Sequence, residues 1–402
     1  MKAKSKKDGN FPNLRFGESE GEWEKIKIKD FGIIVTGNTP PTKDTDNYGS
    51  DYLWASPTDL GKSKYITDTK TMLSEKGFKK TRKLPKGSIL VTCIGIIGKM
   101  GMAAEEMATN QQINSVIVND NFDCNFVYYA ISSQVSKYLS AVSQQVLPII
   151  SKSVFEELNN YSTNIKEQKK IGHFLTLLDE RISTQIQIIE QLKSLMRGLN
   201  NNLKELYGNE IEISLQQLGT SYSGLLGKSA EDFGSGKPFI TYMNVYKNIV
   251  VDESMVQYVN IDKNETQNKV QYGDVLFTVS SETPQEVGMS AVYLGNSDEL
   301  YLNSFCFGYR PNDFDTLLPE YTPYLFSCKQ FRKIAYPFAQ GSTRFNLQKT
   351  DFLKKKFKTP TIQNQKKTST ALNALSEKLT IEQKLLSEYQ KQKKYLLNQM
   401  FI

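Results

Sequence analysis

Histidine is almost missing from this 402-residue chain, which holds a single one, His173. Acid–base catalysis near neutral pH leans on histidine. His173 sits at the start of a long heptad run and reads as a helix-surface residue. Cysteine is scarce as well: Cys93, Cys124, Cys306 and Cys328 lie far apart, with no Cys-x-x-Cys pair. That pattern excludes a disulfide framework and a zinc site, and predicts reduced, mostly buried thiols in a cytoplasmic protein. No apolar run approaches the roughly 18 residues of a membrane span. The Lys-rich start is followed by no apolar segment, so no secretory signal is expected. Phosphate-cradling GxxxxGK[S/T] is absent too, since Gly234-Ser-Gly-Lys237-Pro lacks its frame. So is the Asn/Asp-Pro-Pro-Tyr/Phe loop of amine methyltransferases, the sole Pro-Pro standing in Thr39-Pro40-Pro41-Thr42. Pro57-Thr-Asp59 with Asp68-Thr-Lys70 imitates a nuclease pattern. Its residue types are common, its spacing is loose, and the second half has no matching carboxylates near Asn244. No catalytic residue and no metal ligand is assigned, and the chain is expected to bind rather than catalyse.

What is present describes a globular protein: 39% hydrophobic and 11% aromatic residues, with a formal charge of +7. The globular stretches are nearly neutral, with 16 basic against 14 acidic residues over 23–160 and 15 against 17 over 208–358. Charge alone is therefore weak support for nucleic acid.

An internal repeat carries more. Ile165-Lys-Glu-Gln168-Lys169-Lys170 recurs 197 residues later as Ile362-Gln-Asn-Gln365-Lys366-Lys367, and the same offset lays Phe155 on Phe352 and Lys152 on Lys349. Upstream the offset shrinks to 186, where Leu84-Pro-Lys-Gly87-Ser-Ile-Leu-Val-Thr92 matches Val270-Gln-Tyr-Gly273-Asp-Val-Leu-Phe-Thr278; between these stretches Asn110 answers Asn303. Such matches in one order, twice, indicate duplication. Each Ile-x-x-Gln-Lys-Lys opens a heptad run. Positions 171, 175, 178, 182, 185, 189, 192, 196, 199, 203 and 206 step by four and three, all Ile, Leu or Met except Gln185. The second copy keeps the register through Leu372, Leu375, Leu379, Leu386, Tyr389, Leu396 and Met400, with Thr368, Glu382 and Lys393 as polar breaks. A seam this long predicts a coiled coil. Asn164 with Glu167 forms a capping box, Thr359-Pro360 suits a helix start and Gly208 a helix stop. Short β-rich runs at 88–93, 115–118, 274–279 and 305–309, with helices over 125–143 and 321–336, make the globular halves mixed α/β.

The predicted fold is α+β: two mixed α/β domains joined and spaced by two long helices that form an antiparallel coiled coil, in a pseudo-two-fold internal repeat. Its parts are a tail (1–22), a first domain (23–160), a first spacer helix (161–207), a second domain (208–358) and a second spacer helix (359–402).

The opening Pro12-Asn-Leu-Arg15-Phe16…Gly21-Glu-Trp23-Glu, the elements Gly37-Asn-Thr39-Pro40 and Gly87-Ser-Ile-Leu, and the twice-used Ile-x-x-Gln-Lys-Lys before a heptad helix together resemble the specificity subunits of type I restriction–modification systems. The second half departs from the pattern, lacking Gly-x-Thr-Pro and carrying Ala371-Leu372 where the first has Phe174-Leu175. The resemblance implies that each half is a target recognition domain reading one half of a bipartite, asymmetric sequence in double-stranded DNA. It implies two methyltransferase subunits docked on the helices, and restriction subunits that translocate and cleave. S-adenosylmethionine, ATP and Mg would belong to those partners, with no cofactor in this chain. Phosphate contact falls to Lys43, Lys79, Lys80, Arg82 and Lys99 in the first domain, and to Ser342, Arg344 and Asn346 in the second. Arg332 and Lys333 lie close in sequence to the latter set. Base contact falls to Thr58, Asn110, Gln111, Asn244, Tyr246 and Lys247. Helix faces bearing Lys169, Lys170, Gln185, Lys366 and Lys367 would meet the methyltransferases. Two other readings stay open: a stand-alone DNA-binding regulator, and a coiled-coil scaffold whose near-neutral domains bind proteins.

Overall fold

The computed structural model describes residues 2–3, 9–142, 149–201, 210–262 and 264–402. The chain forms two compact units, residues 1–188 with 382–402 and residues 189–381.

In the first unit the main sheet runs in the order β1 (Gly32–Thr36), β4 (Ile113–Val118), β2 (Ile89–Thr92), β3 (Met100–Ala103), with Tyr65–Ile66 at the edge. All neighbours are antiparallel except β3 with Tyr65–Ile66. In the second unit β5 (Gly219–Ser223), β8 (Cys306–Pro311), β6 (Val275–Thr278) and β7 (Ser290–Val292) repeat that order, again antiparallel. A second small sheet repeats as well: Ala108–Thr109 runs parallel to Tyr52–Ala55, as Tyr301–Leu302 does to Phe239–Ile240. The duplication read in the sequence is thus a duplication of topology. Every residue of β2 and β6 is buried, as expected of central strands dense in Ile, Val, Leu and Phe. Gly87 and Gly273 both adopt φ +85°, where a side chain is strained, so the tight turn before each central strand demands glycine.

Helix α1 (Cys124–Val142) covers the first sheet where a helix was expected. Its counterpart, read from the sequence as one helix over 321–336, is two helices, Thr322–Ser327 and Lys329–Ala335. Cys328 breaks them with ψ 149°, and its Sγ accepts the Phe331 N–H to cap the second. The matched phenylalanines Phe155 and Phe352 are core residues, 1% and 2% exposed.

Two long helices follow the two domains, α2 (Ile165–Asn201) and α3 (Ile362–Met400). Seam positions 171 through 199 of α2, and 368 through 400 of α3, are all buried or half-buried; positions 203 and 206 and Gly208 lie outside the described residues. Within the first unit the pairing is antiparallel, because partner numbers fall as helix numbers rise. Asp179 meets Lys393 at 2.6 Å, Arg181 donates to the Tyr389 hydroxyl at 2.9 Å, and Gln185 donates to the Glu382 carbonyl at 3.1 Å. Two of the polar breaks, Gln185 and Glu382, are therefore partners for one another, and a third, Lys393, pairs with Asp179 beside the seam. Gln185, expected on an outer face, is 5% exposed inside the seam, since Glu382 supplies the acceptors that let its amide be buried there.

The repeated glutamine explains the motif. Gln168 donates to the Thr163 carbonyl at 2.6 Å and accepts the Asp123 N–H at 3.0 Å. Gln365 donates to the Pro360 and Thr316 carbonyls at 2.8 and 2.9 Å and accepts the Leu318 N–H at 2.9 Å. Each amide pins the start of a long helix to the preceding strand and to the loop entering its domain's helix layer. The capping box is half formed: Asn164 Oδ1 accepts the Glu167 N–H at 3.0 Å, while the Glu167 carboxylate turns to Arg15 instead.

Arg15 forks onto Glu167 at 2.7 and 2.6 Å. Burial pushes the Glu167 carboxyl up, but hydrogen bonds from Arg15 and Thr163 outweigh it and hold the group below the ordinary value. The pair's stabilisation is present above the unfolded carboxyl pKa and is lost as pH falls through the folded one. Arg15→Ala leaves a buried charge unpaired and should lower stability by about 3 kcal/mol at neutral pH in urea unfolding. In that variant burial is opposed by fewer hydrogen bonds and the Glu167 pKa moves upward, so the deficit should shrink at mildly acid pH. An equal deficit at both pH values would contradict the assignment.

Candidate nucleic-acid interface

In the second unit, the strand Phe233–Ile240 feeds a short helix, Tyr242–Lys247, capped by Thr241, whose hydroxyl accepts the Asn244 N–H at 3.2 Å. Tyr242 and Tyr246 stand one turn apart with rings 6.0 Å apart and nearly parallel. The Tyr242 hydroxyl donates to the Ser280 carbonyl at 2.8 Å and that of Tyr246 to Glu286 at 2.7 Å. Both bonds reach the loop 279–289 that joins β6 to β7. With Thr343 and Arg344 this loop and helix enclose an open groove of about 450 Å³. Arg344 lies over the Phe305 ring at 5.6 Å, and Phe305 is 55% exposed.

The groove gathers Tyr246 and Arg344, and the exposed Ser342 adjoins them in sequence. Lys247 and Asn346 are exposed, Asn346 on a strand paired with Ser280. Asn244 does not face the groove: it is fully buried, donating to the Asp252 carbonyl at 2.8 Å and accepting the Asp252 N–H and Asn248 amide at 3.0 Å each. Three of its four possible hydrogen bonds go into shaping the loop, and with its full burial this withdraws it from base contact. Arg332 is likewise structural. Its guanidinium donates to the carbonyls of Gly288, Val287 and Gln285 at 2.6, 2.7 and 2.9 Å, fixing the groove loop, and burial lowers its pKa.

In the first unit an open groove of about 420 Å³ is lined by Thr58, Lys62, Asp68 and Lys70. Thr58 is exposed. Asp59 accepts the Ser56 and Lys70 N–H groups at 2.8 and 3.0 Å, so the nuclease-like pattern resolves into a turn. No cluster of three or more His, Cys, Asp or Glu fit to hold a metal occurs among the described residues. Lys43 is exposed and unpaired among the described residues, whereas Lys79 pairs with Glu75 at 2.7 Å and Lys80 with Asp44 at 3.2 Å. Arg82 is exposed and donates to the Thr36 carbonyl at 2.6 Å. Lys99 is half-buried against Gly61. Surface pairs of this kind are worth about 0–1 kcal/mol, so these lysines remain able to exchange a carboxylate for a phosphate.

Asn110 is 7% exposed, its Oδ1 accepting the Gln112 N–H at 3.0 Å; Asn303 does the same for Phe305 at 2.9 Å. The two asparagines close equivalent turns, so Asn110 is a scaffold residue and not a free base reader. Gln111, beside it, is exposed and accepts from the Thr39 hydroxyl at 2.5 Å. One equivalence is invisible in sequence. A Cβ on Gly37 would meet the Asn110 carbonyl at 2.2 Å, and one on Gly224 the Asn303 carbonyl at 2.1 Å. Gly224 thus fills the place of the Gly-x-Thr-Pro glycine without the rest of that motif. On the helices, Lys169, Lys366 and Lys367 are exposed, Lys170 pairs with Glu18, and His173 lies on the helix surface.

A family model described as the type I restriction modification DNA specificity domain matches the chain twice, over residues 20–194 and 213–390. The chain belongs to that family. The MjaIX specificity subunit of Methanocaldococcus jannaschii is 30% identical over 191 residues, which cover 45% of this chain and 44% of that protein. The HindI specificity subunit of Haemophilus influenzae is 34% identical over 120 residues, 29% of this chain and 26% of that protein. By sequence the chain thus spans less than half the length of either relative. In fold it is similar to the S subunit of a type I system from M. genitalium, with TM-score 0.58, 17% identity, and 98% of this chain and 99% of that chain covered. It is similar also to a chain from a study of assembly in the type I system, with TM-score 0.57, 13% identity, and 94% and 96% covered. The specificity family shares this mixed helix-and-sheet architecture with long helices.

Asn244→Ala should cost about 2 kcal/mol in chemical unfolding, because it orphans buried partners. Tyr246→Phe, at a half-buried site, should stay within about 0.5 kcal/mol. Equal costs would place Asn244 outside the role given to it.

Proposed function

We propose that the chain is the DNA-reading subunit of a type I restriction–modification complex. In this reading each unit contacts one half of a bipartite, non-palindromic site in duplex DNA, and partner subunits carry out adenine methylation, translocation and cleavage. S-adenosylmethionine, ATP and Mg belong to those partners. The observation that carries the reading is one topology used twice with different chemistry on equivalent loops. The β2–β3 loop of the first unit reads Cys93-Ile-Gly-Ile-Ile-Gly-Lys99, whereas the β6–β7 loop of the second carries Glu282 and Glu286 beside Arg344. Identical readers would select a palindrome; unlike readers on like scaffolds select two different half-sites.

The long helices supply spacing and docking in this proposal. A helix of 37 residues is about 55 Å long, ample for half-sites about one turn of DNA apart. Outside the seam, Leu177 and Leu195 of α2 and Ile381 and Tyr395 of α3 are 49–66% exposed, and Lys169, Lys366 and Lys367 are exposed as well, which leaves side chains on each helix available to protein partners.

Methylome sequencing of the host with and without this gene tests the reading, which expects a split, asymmetric motif that disappears with the gene. A palindromic motif, or none, refutes it. Lys43→Ala and Arg82→Ala should weaken binding to all sequences alike and reduce the slope of log affinity against log salt by about 0.9 each. Deleting one heptad from each helix, about 10 Å of axis, should change the permitted gap and leave both half-sites intact. An unchanged gap would rule out the spacing role.

A further inference from the structure

The groove of the second unit contains a feature that phosphate binding does not explain. A surface facing DNA ordinarily sheds carboxylates, since phosphates repel them. Glu282 nevertheless lines the groove with Arg344, is exposed, and makes no hydrogen bond or ion pair among the described residues. Its neighbour Glu286 is already committed, accepting from Tyr246 at 2.7 Å, Thr283 at 2.8 Å and Ser281 at 3.3 Å. The loop that carries both acids is held by the three carbonyl bonds of Arg332 and by the Tyr242 hydroxyl on Ser280. Glu282 is therefore an uncommitted acceptor on a fixed loop.

We propose that Glu282 and Arg344 select one C·G base pair in the half-site contacted by the second unit, Glu282 taking the cytosine and Arg344 the guanine. The proposal rests on the DNA-reading function given above and deepens it. A carboxylate can only accept, and in the major groove a cytosine N4 amino group is its usual complement; a guanidinium donates two hydrogen bonds to guanine O6 and N7. Guanine pairs with cytosine, so a single base pair satisfies both side chains. Phe305 beneath Arg344 gives the guanidinium an apolar backing that limits its freedom. The equivalent loop of the first unit, Cys93 to Lys99, holds no carboxylate, so this pairing is not repeated on that loop.

The test uses the full chain purified natively from its host with whatever subunits accompany it, mixed with random duplex DNA, the bound fragments being sequenced. Wild type should enrich a two-block motif with a fixed C·G pair in one block. Glu282→Ala should reduce the preference at that pair by roughly 5- to 150-fold and leave the other positions unchanged. Glu282→Gln, which can donate as well as accept, should move the preference from cytosine towards adenine, a gain that a damaged fold cannot produce. Arg344→Ala should lose the guanine at the same pair. A motif unaltered by Glu282→Ala overturns the proposal while leaving DNA reading in place, and so does a loss spread evenly over all positions in either variant. If wild type itself enriches no sequence, the DNA-reading function fails, and this pairing fails with it.

Discussion

Each long helix begins at a buried amide. Gln168 and Gln365 are 2% and 0% exposed, and each is bonded on one side to the strand that precedes its helix and on the other to the loop entering the domain's helix layer. A glutamine buried with its hydrogen bonds unmade would cost several kcal/mol. The direction in which each helix leaves its domain is therefore fixed by polar geometry that tolerates no substitute. The heptad seam, the domain's helix layer and the groove loops all take their positions from that exit. Arg15 strengthens it in the first copy by holding Glu167, one residue before the glutamine.

The seam adds specificity of register. Gln185 and Glu382 occupy equivalent positions of the two repeats, 197 residues apart, and meet each other. In an apolar seam a single polar match penalises every shifted alignment, because a slip would set a carboxylate against leucine. The helices thus have one register, which any spacing function requires.

Features with a strong period or a stringent steric demand were legible in the sequence. The heptads, the Ile-x-x-Gln-Lys-Lys pair and the glycines at 87 and 273 were all readable, since period and positive φ leave few alternatives. The strand order was not, because pairing partners are set by long-range packing that a local pattern does not encode. Gly224 has no sequence signal because its requirement is a close approach to the Asn303 carbonyl, with no companion motif. Asn244 and Asn110 were read as base contacts because an asparagine that braces a loop and one that reads a base look identical in one dimension. Gln185 was assigned outward although its own heptad position placed it inward. Glu282 has no sequence signal, as a lone acid in a loop carries no pattern. Arg332 looked like surface charge, although its guanidinium is spent on three carbonyls.

The first unit is discontinuous along the chain, with residues 382–402 completing a core that begins near Trp23. Phe401 packs edge-on against Trp23 at 5.7 Å and tilted against Phe126 at 5.6 Å, and Gln134 donates to the Ile402 carbonyl. During synthesis Phe401 emerges only after the whole second unit has left the ribosome. The continuous unit, residues 189–381, is free to fold first, while the one made earlier must wait with part of its core exposed. The order of translation is thereby the reverse of the order in which the two cores can close, and premature release or truncation would cost the first recognition domain before it touched the second.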